Sequence, residues 1–569
     1  MVETTQSAPT TLVWEDVEVQ NETWQPPGPG TWETDSSHFD TTVTPLMVEM
    51  IEHAAPTGMR EGFDLIGAPL DTMDVRFVNG QMYRRLVPII GGSGRGPSTP
   101  PPAWLTRTVF AVHPRLRKRA QTAARSLEAR SWSGEADRWE ATWKPELSAT
   151  NRRLAAVDVM SLSDEELAAH FDETLGHAGS AMVLHFRLHI SDLGPIALLL
   201  DHTTDWGIDP GDVMPALAGA SPATSAPQDA LRPLAREIAA AGAHPTSLDE
   251  VRAVGEVAAQ LLDEYILEFG TRLTTGYDLT HLTLAEMPDV ILATVGDPRL
   301  LDAHTAAELA AERGEQALRE VRASVAAEDR NLFDELITDA RRLYGLRDEN
   351  GPITAEWPCG ILRLIMLEVG RRLVAAGRLR AVAHVFDLSA VEVSGSLRGE
   401  PGPHAEAVAT RNGRRLQRAD SEPPSYLGPA PVEPDLGGLP EVMGRMMRMS
   451  VNAVALLEAE RDRGELRGTG VGTASYTGPA RVVVDADEAL ERCQPGDVII
   501  ARYTVPTFNS VLALAGAVVT EQGGLLCHTA VIARELGIAA VVGASGALDI
   551  ADGAMVEVDP VAGVVTVLV

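Results

Sequence analysis

The sequence predicts a multidomain α+β chain: a mainly α-helical body followed by a C-terminal α/β domain. Three patterns carry this reading. From about residue 126 to 395, apolar residues recur at helical spacing, as in LDEVRAVGEVAAQLLDEYILEFG and LRLIMLEVGRRLVAAGRL. Near the C-terminus, short apolar runs, GAVVT and AAVVG, flank one helical segment, HTAVIAREL. Between these regions lies a Pro-, Gly- and Arg-rich stretch. The expected boundaries are 1–125 for a loop- and hairpin-rich N-terminal part of the body, 126–395 for the helical domain, 396–455 for a linker or hinge, and 456–569 for the C-terminal domain.

The elements follow in order. WQPPGPGTWETDSSHFD (24–40) reads as loop, because prolines and glycines break both periodicities. Its rings, Trp24, Trp32, His38 and Phe39, either line a pocket or clamp the loop onto the body. VRFVNGQMYRRLV (75–87) reads as a hairpin around Asn79-Gly80. GGSGRGPSTPPPA (91–103) lacks the G-K-[ST] ending of a phosphate loop and reads as flexible. Ser163-x-x-Glu166 is a capping box ahead of a helix running to about residue 192. That helix carries His170, His177, His185 and His189 within about half of its surface. They serve as structural, base or paired metal-ligating histidines; His185 and His189, flanked by Met182, Leu184, Phe186 and Ile190, are the candidates for proton transfer. No third metal ligand is evident, so no metal site is expected. Residues 394–440 have almost no apolar period and read as an extended linker, ended by the Met-rich helix EVMGRMMRMSVNAVALLEAER.

Composition narrows the function. A net charge of −32 over 569 residues argues against nucleic acid and against anionic membrane surfaces. Cys359, Cys493 and Cys527 are far apart, which gives neither a zinc motif nor a disulfide framework. The N-terminus has no basic-then-apolar signal, and GPIALLL is too short to span a bilayer. A soluble, cytoplasmic protein is expected.

Residues 520–543, TEQGGLLCHTAVIARELGIAAVVG, are the most informative. A strand ends at Thr520, Gly523-Gly524 makes a turn, and His528 stands at the mouth of a helix stopped by Gly537. A helix N-terminus offers unpaired N–H groups and a partial positive charge, which favour a phosphate dianion and disfavour imidazolium. A neutral His528 can carry a phosphoryl group covalently. An ordinary capping histidine is the bland alternative.

The same run resembles the phosphohistidine swivelling domain of the PEP-utilising dikinase family, with its T-x-x-G-G-x-x-S-H-A-A-x-x-A-R-x-x-G-I-P-x-V-x-G pattern. Thr520, Gly523, Gly524, His528, Ala530, Ala533, Arg534, Gly537, Ile538, Val541 and Gly543 match. Cys527 replaces Ser, Thr529 replaces Ala and Ala540 replaces Pro. By resemblance His528 is phosphorylated, and Thr520, Gly523, Gly524, Cys527 and Arg534 support it. More loosely, LLDEYILEFGTRLTTGYDL, LYGLRDENG and GRRLVAAGRLRAVAHVFDLSAVEV resemble the drug-binding part of rifampin phosphotransferase, with Thr271 where that family usually has histidine. Arg272 and Arg347 in these blocks are phosphate-partner or ion-pair candidates. No ATP-grasp domain is apparent in the sequence. The resemblance therefore implies a separate ATP-grasp subunit holding ATP and Mg²⁺, as in phenylphosphate synthase and 4-cresol (4-methylbenzyl) phosphate synthase. The expected acceptor is a small aromatic hydroxyl compound, phenol- or cresol-like, with His185, His189, Arg272, Arg347, Trp32 and His38 as acceptor-site candidates. An antibiotic or natural-product hydroxyl is one alternative; a non-enzymatic phosphocarrier is another. An enzyme requires an apolar pocket of several hundred Å³ among the helices; a carrier does not.

Overall fold

A computed structural model describes residues 23–35, 39, 42–90, 103–221, 223, 225–302, 305–419, 421, 423–431, 439–455, 466–484, 486–504 and 508–568. The chain is α+β: a large helical body carrying a small sheet, and a C-terminal domain built on a larger one.

The body is organised around one helix, Asp164–Asp205, of 42 residues. It starts where the sequence places it. Glu166 N–H donates to Ser163 Oγ (3.3 Å), and Ser163 N–H donates back to Glu166 Oε2 (2.9 Å). It ends at 205 rather than 192, because the apolar run through Pro195 to Leu200 is buried on all sides and stays helical. By length and composition this helix could cross a membrane, but 72% of its most apolar window is buried inside the protein, as expected of a core helix. Helices Pro45–Ile66, Arg330–Gly351, Trp357–Ala375 and Glu441–Ala455 pack around it. Close approach is sequence-encoded: a methyl on Gly58 would lie 2.2 Å from the carbonyl oxygen of Val183.

Pro45–Ile66 corrects the expectation of a loop- and hairpin-rich start. Pro45 at its first turn and Gly67 in the left-handed conformation at its end bound a long helix that sequence patterning missed. The hairpin is present: β2 (Leu70–Val78) pairs with β3 (Gln81–Pro88), with Asn79 (φ 52°) and Gly80 (φ 80°) at the turn. β1 (Trp32–Thr34) and β4 (Tyr426–Leu427) complete an antiparallel sheet of order β2-β3-β1-β4.

β4 also corrects the linker. Residues 396–455 do not form an extended tether: they hold helix Ala405–Ala419, the β4 strand and helix Glu441–Ala455. The first helix presents a single buried valine, Val408, so it lacks the apolar stripe that would reveal it in sequence. It is fastened instead by polar bonds, Arg415 and Asn412 donating to the buried Asp387 at 2.8 Å each. Residues 432–438 and 456–465, and most of 91–103, lie outside the described residues.

The C-terminal domain is a seven-stranded sheet of order β11-β10-β6-β7-β8-β9-β5. β6 (Tyr476–Val482), β7 (Val498–Ala501), β8 (Ala517–Thr520) and β9 (Ala539–Val542) run parallel. β5 (Thr469–Val471) pairs antiparallel at one end of the sheet, and β10 (Met555–Asp559) and β11 (Val564–Val567) pair antiparallel at the other. The parallel strands β7, β8 and β9 are buried throughout, so they read as continuous apolar runs.

One packing contact yields a stability prediction. A methyl on Gly360 would sit 1.8 Å from the carbonyl oxygen of Thr271, a backbone atom that cannot rotate away. Gly360→Ala should therefore cost about 3 kcal/mol or more, read as a lower urea midpoint at unchanged slope. An unchanged midpoint would mean that the helix and the 271–273 strap are not packed this closely.

Candidate active site

His528 is the first residue of helix His528–Leu536, directly after the turn that follows β8. It thus lies outside the carboxyl end of a parallel strand, where open α/β sheets place their ligands. Cys527 caps the helix, its Sγ accepting from Ala530 N–H at 3.5 Å, a weak bond where Ser would make a stronger one. Gly523 has φ 118°, and a side chain there would meet Cys527 Sγ at 2.6 Å. The carbonyl of Gly524 accepts from Cys527 N–H at 3.0 Å. Thr520 closes β8, its carbonyl accepting from Ala544 N–H, while its Oγ1 is buried without a partner. Arg534 does not reach the histidine's cavity; its guanidinium donates to Leu525 O (3.0 Å) and Tyr344 Oη (3.4 Å). It fastens the loop and the domain junction.

Two groups that sequence reasoning missed hold the imidazole. Nδ1 lies 2.7 Å from Thr504 Oγ1, which itself lies 2.8 Å from Thr529 Oγ1. Nε2 lies 2.9 Å from Asn509 Oδ1; a half-turn of that amide offers an N–H instead. Both partners come from the segment between β7 and β8, Thr504 just after β7 and Asn509 opening the short helix Asn509–Leu512, and their signal was polar residues following an apolar strand next to the His528 strand. The ring's pKa is pushed down to about 3, first by burial and then by Arg347, against a raising hydrogen bond from the Thr504 backbone. At neutral pH the ring is uncharged and nucleophilic.

His528 faces the helical body. Arg347 donates to Leu526 O, Gly219 N–H to the Glu535 carboxylate (3.1 and 3.2 Å), and Arg313 to Glu535 O. Between the domains lies a cavity of about 340 Å³. His528 and Asn509 line it from one domain; His185, His189, Arg272 and Arg347 line it from the other. Much of the rest is apolar, with five methionines (47, 59, 73, 82, 182) and the rings of Phe39, Phe186, Tyr265 and Phe269.

The candidates from the sequence differ in what they do there. His185 Nδ1 lies 3.0 Å from Thr354 Oγ1, and its ring packs at 4.4 Å against His189. His189 Nδ1 faces the buried Asp192 at 3.6 Å. Arg272 is a wall rather than a free fork: it pairs with Glu268 (3.4 Å) and stacks on Phe269 and Trp357, 4.6 Å from each ring. Arg347 has its Nη1 on Asp348 (2.9 Å) and its Nε buried without a partner. Trp32 is corrected: it does not line the cavity but packs with Tyr83 and Leu427, under the Arg85 guanidinium, and donates to Gly28 O. His38 lies outside the described residues. Thr271 Oγ1 is buried and unpartnered, and Thr271 does not line the cavity. Sequence reasoning also missed Asp35, Tyr277 and Glu356, which do. Burial pushes the Glu356 carboxyl up to about 7, with Arg272 pulling the other way.

Comparison with known proteins bears on both halves of the site. Residues 493–563 match the mobile domain of PEP-utilising enzymes, and residues 196–348 match the fourth domain of rifampicin phosphotransferase. Each of the two matched stretches is thus similar to a domain of PEP-utilising phosphotransferases. Both matched domains meet at the cavity: His528 and Asn509 come from the first, Arg272 and Arg347 from the second. Among curated proteins, the phosphotransferase YvkC of Bacillus subtilis is 27% identical over 54% of this chain and 36% of its own length. Chondramide synthase of Chondromyces crocatus is 27% identical over 94% of this chain and 14% of its own. Phosphoenolpyruvate synthase of Pseudomonas aeruginosa is 44% identical over 15% and 11%. The chain thus spans little more than a third of these relatives at most.

Proposed function

We propose that this chain is a phosphotransferase subunit in which His528 accepts a phosphoryl group and passes it to a hydroxyl compound held in the cavity. The observation that carries this reading is a shared space: a neutral imidazole and an apolar chamber, contributed by different domains, line one cavity. Such a chamber serves to bind a small molecule and exclude water. A carrier that passed phosphate only to other proteins would have no use for it.

The donor in this reading is ATP with Mg²⁺ on a separate ATP-grasp subunit, giving AMP and phosphate overall. Among the described residues no cluster of three or more His, Cys, Asp or Glu side chains is arranged to hold a metal ion, so the proposal places Mg²⁺ with the nucleotide. This chain's own part is to orient the ring through Thr504 and Asn509 while burial and Arg347 keep it neutral, to offer Arg347 to the phosphoryl oxygens, and to enclose the acceptor.

An aromatic hydroxyl suits the rings and methionine sulfurs of the wall. The cavity volume favours a larger acceptor than phenol or cresol. An apolar cavity of about 150 Å³ holds one benzene, and this one is more than twice that size. A two- or three-ring natural-product hydroxyl therefore fits better than a single ring. The test is to load the protein with phosphoramidate, a partner-independent chemical donor, and offer phenol, 4-cresol, 2-naphthol and a three-ring phenol. Phosphoester detected by ³¹P NMR should rise with ring count. Phosphoryl transfer only to added protein would overturn the reading.

A further inference from the structure

Three carboxyls line the cavity: Asp35, Asp348 and Glu356. Two are matched by a cation. Asp35 faces Arg84 at 3.6 Å, and Asp348 accepts from Arg347 at 2.9 Å. Glu356 has no ion pair within 4 Å among the described residues, although it is almost wholly buried. Its placement follows from the backbone. Helix Arg330–Gly351 passes directly into a π-helical turn, Pro352–Glu356, before Trp357–Ala375 begins. The wider turn brings Arg347, Asp348, Gly351, Pro352, Ala355 and Glu356 onto one wall; such turns recur at functional sites. The Glu356 carboxyl folds back over Gly351, with Oε1 3.6 Å from where a methyl on that glycine would stand. That is one helical turn beyond the arginine that reaches the His528 loop.

Tyr277 ties the carboxyl to the reaction centre. Its enclosed phenol feels Glu356, Arg347 and Cys527, the residue before His528. The carboxyl, the arginine and the cap of the His528 helix thus all bear electrostatically on one phenol that lines the cavity. Arg272, pinned between Phe269 and Trp357, and Cys359 are the other ionisable groups that interact with Glu356. His185 is engaged on Thr354, while His189 turns its Nδ1 toward Asp192 at 3.6 Å without a hydrogen bond.

We propose that Glu356 is the catalytic base that takes the proton from the acceptor hydroxyl as it attacks phosphorus on His528. The inference rests on the phosphohistidine reading above. In the step, the acceptor O–H bond breaks and its proton goes to the Glu356 carboxylate. An O–P bond forms, the P–N bond to Nε2 breaks, and its electron pair returns to the ring. Thr504 keeps the other proton on Nδ1, so the imidazole leaves neutral. A carboxyl matched to neutral pH is suited to this duty, and its burial supplies that match.

The test uses the full chain loaded with phosphoramidate, with water as the default acceptor in the cavity and 2-naphthol as the second. Glu356→Gln should load like wild type and then lose its phosphoryl group at least about 100-fold more slowly, to water and to naphthol alike. Glu356→Asp should recover part of the rate. Equal decay in wild type and Glu356→Gln would overturn the proposal while leaving the carrier intact, and so would slow decay confined to His189→Gln. Wild-type protein that loads no better than His528→Ala would instead bring down the phosphohistidine reading itself. Matching thermal melts exclude misfolding of the isosteric variant.

Discussion

His528→Ala is expected to abolish phosphoryl labelling of the chain while leaving it folded. Nothing else described near the site replaces the nucleophile. His185 and His189 lie across the cavity in the helical body, away from the N-terminus of the His528 helix. Cys527 is partly buried, and that burial raises its thiol above the usual range, so it stays protonated. The effect on labelling should be complete rather than partial, because a covalent carrier has no substitute pathway. The effect on stability should be small. Thr504 retains Thr529 as a partner, and Asn509 faces the cavity. A loss of about 1–2 kcal/mol covers the hydrogen bonds removed. The measurement is intact mass after phosphoramidate loading and an alkaline quench, which preserves phosphohistidine. A persistent gain of one phosphoryl unit on the alanine variant would move the nucleophile elsewhere.

How much of this was legible in the sequence depends on how local each signal is. The Gly523-Gly524 turn, His528 and Gly537 sit within fifteen residues, and each answers a local backbone demand. Their arrangement could be read directly. Thr504 and Asn509 reach the same ring from another strand's loop, 24 and 19 residues away. The polar residues that follow the apolar β7 strand mark them only faintly, since their role arises only when β7 and β8 lie side by side. Glu356 was invisible for a related reason. In sequence it is one acid in a charged chain, and only the π-helical turn sets it inside the cavity. Trp32 shows the opposite error: a ring in a Pro/Gly loop looked like a pocket wall, yet β1 pairing turns it into the small core under Arg85. The Ala405–Ala419 helix escaped notice because polar bonds to Asp387, not an apolar stripe, hold it.

Arg347→Met is expected to slow transfer from His528 by about 10³-fold, the lower end of what a charge-stabilising arginine contributes to phosphoryl transfer. Arg347 is mostly buried and sits at the junction of both domains. One amino group donates to Asp348, the other to the carbonyl of Leu526, and the Nε proton has no partner. An unpaired buried donor is costly unless something arrives to accept from it. In the proposed reaction a phosphoryl dianion on His528 would supply such an acceptor, beside a charge that already depresses the ring's pKa. The same residue also has a structural duty. Removing its charge takes the Arg347 cation from Asp348, whose side chain is only 6% exposed, which costs on the order of 3–5 kcal/mol. The two duties separate in a double variant. Arg347→Met alone should lose both stability and transfer. Arg347→Met combined with Asp348→Asn should regain much of the thermal midpoint, because the buried carboxylate loses its charge as well, yet transfer should remain about 10³-fold down. If the double variant recovers both, Arg347 is an ion-pair partner and the phosphoryl group is neutralised by another residue.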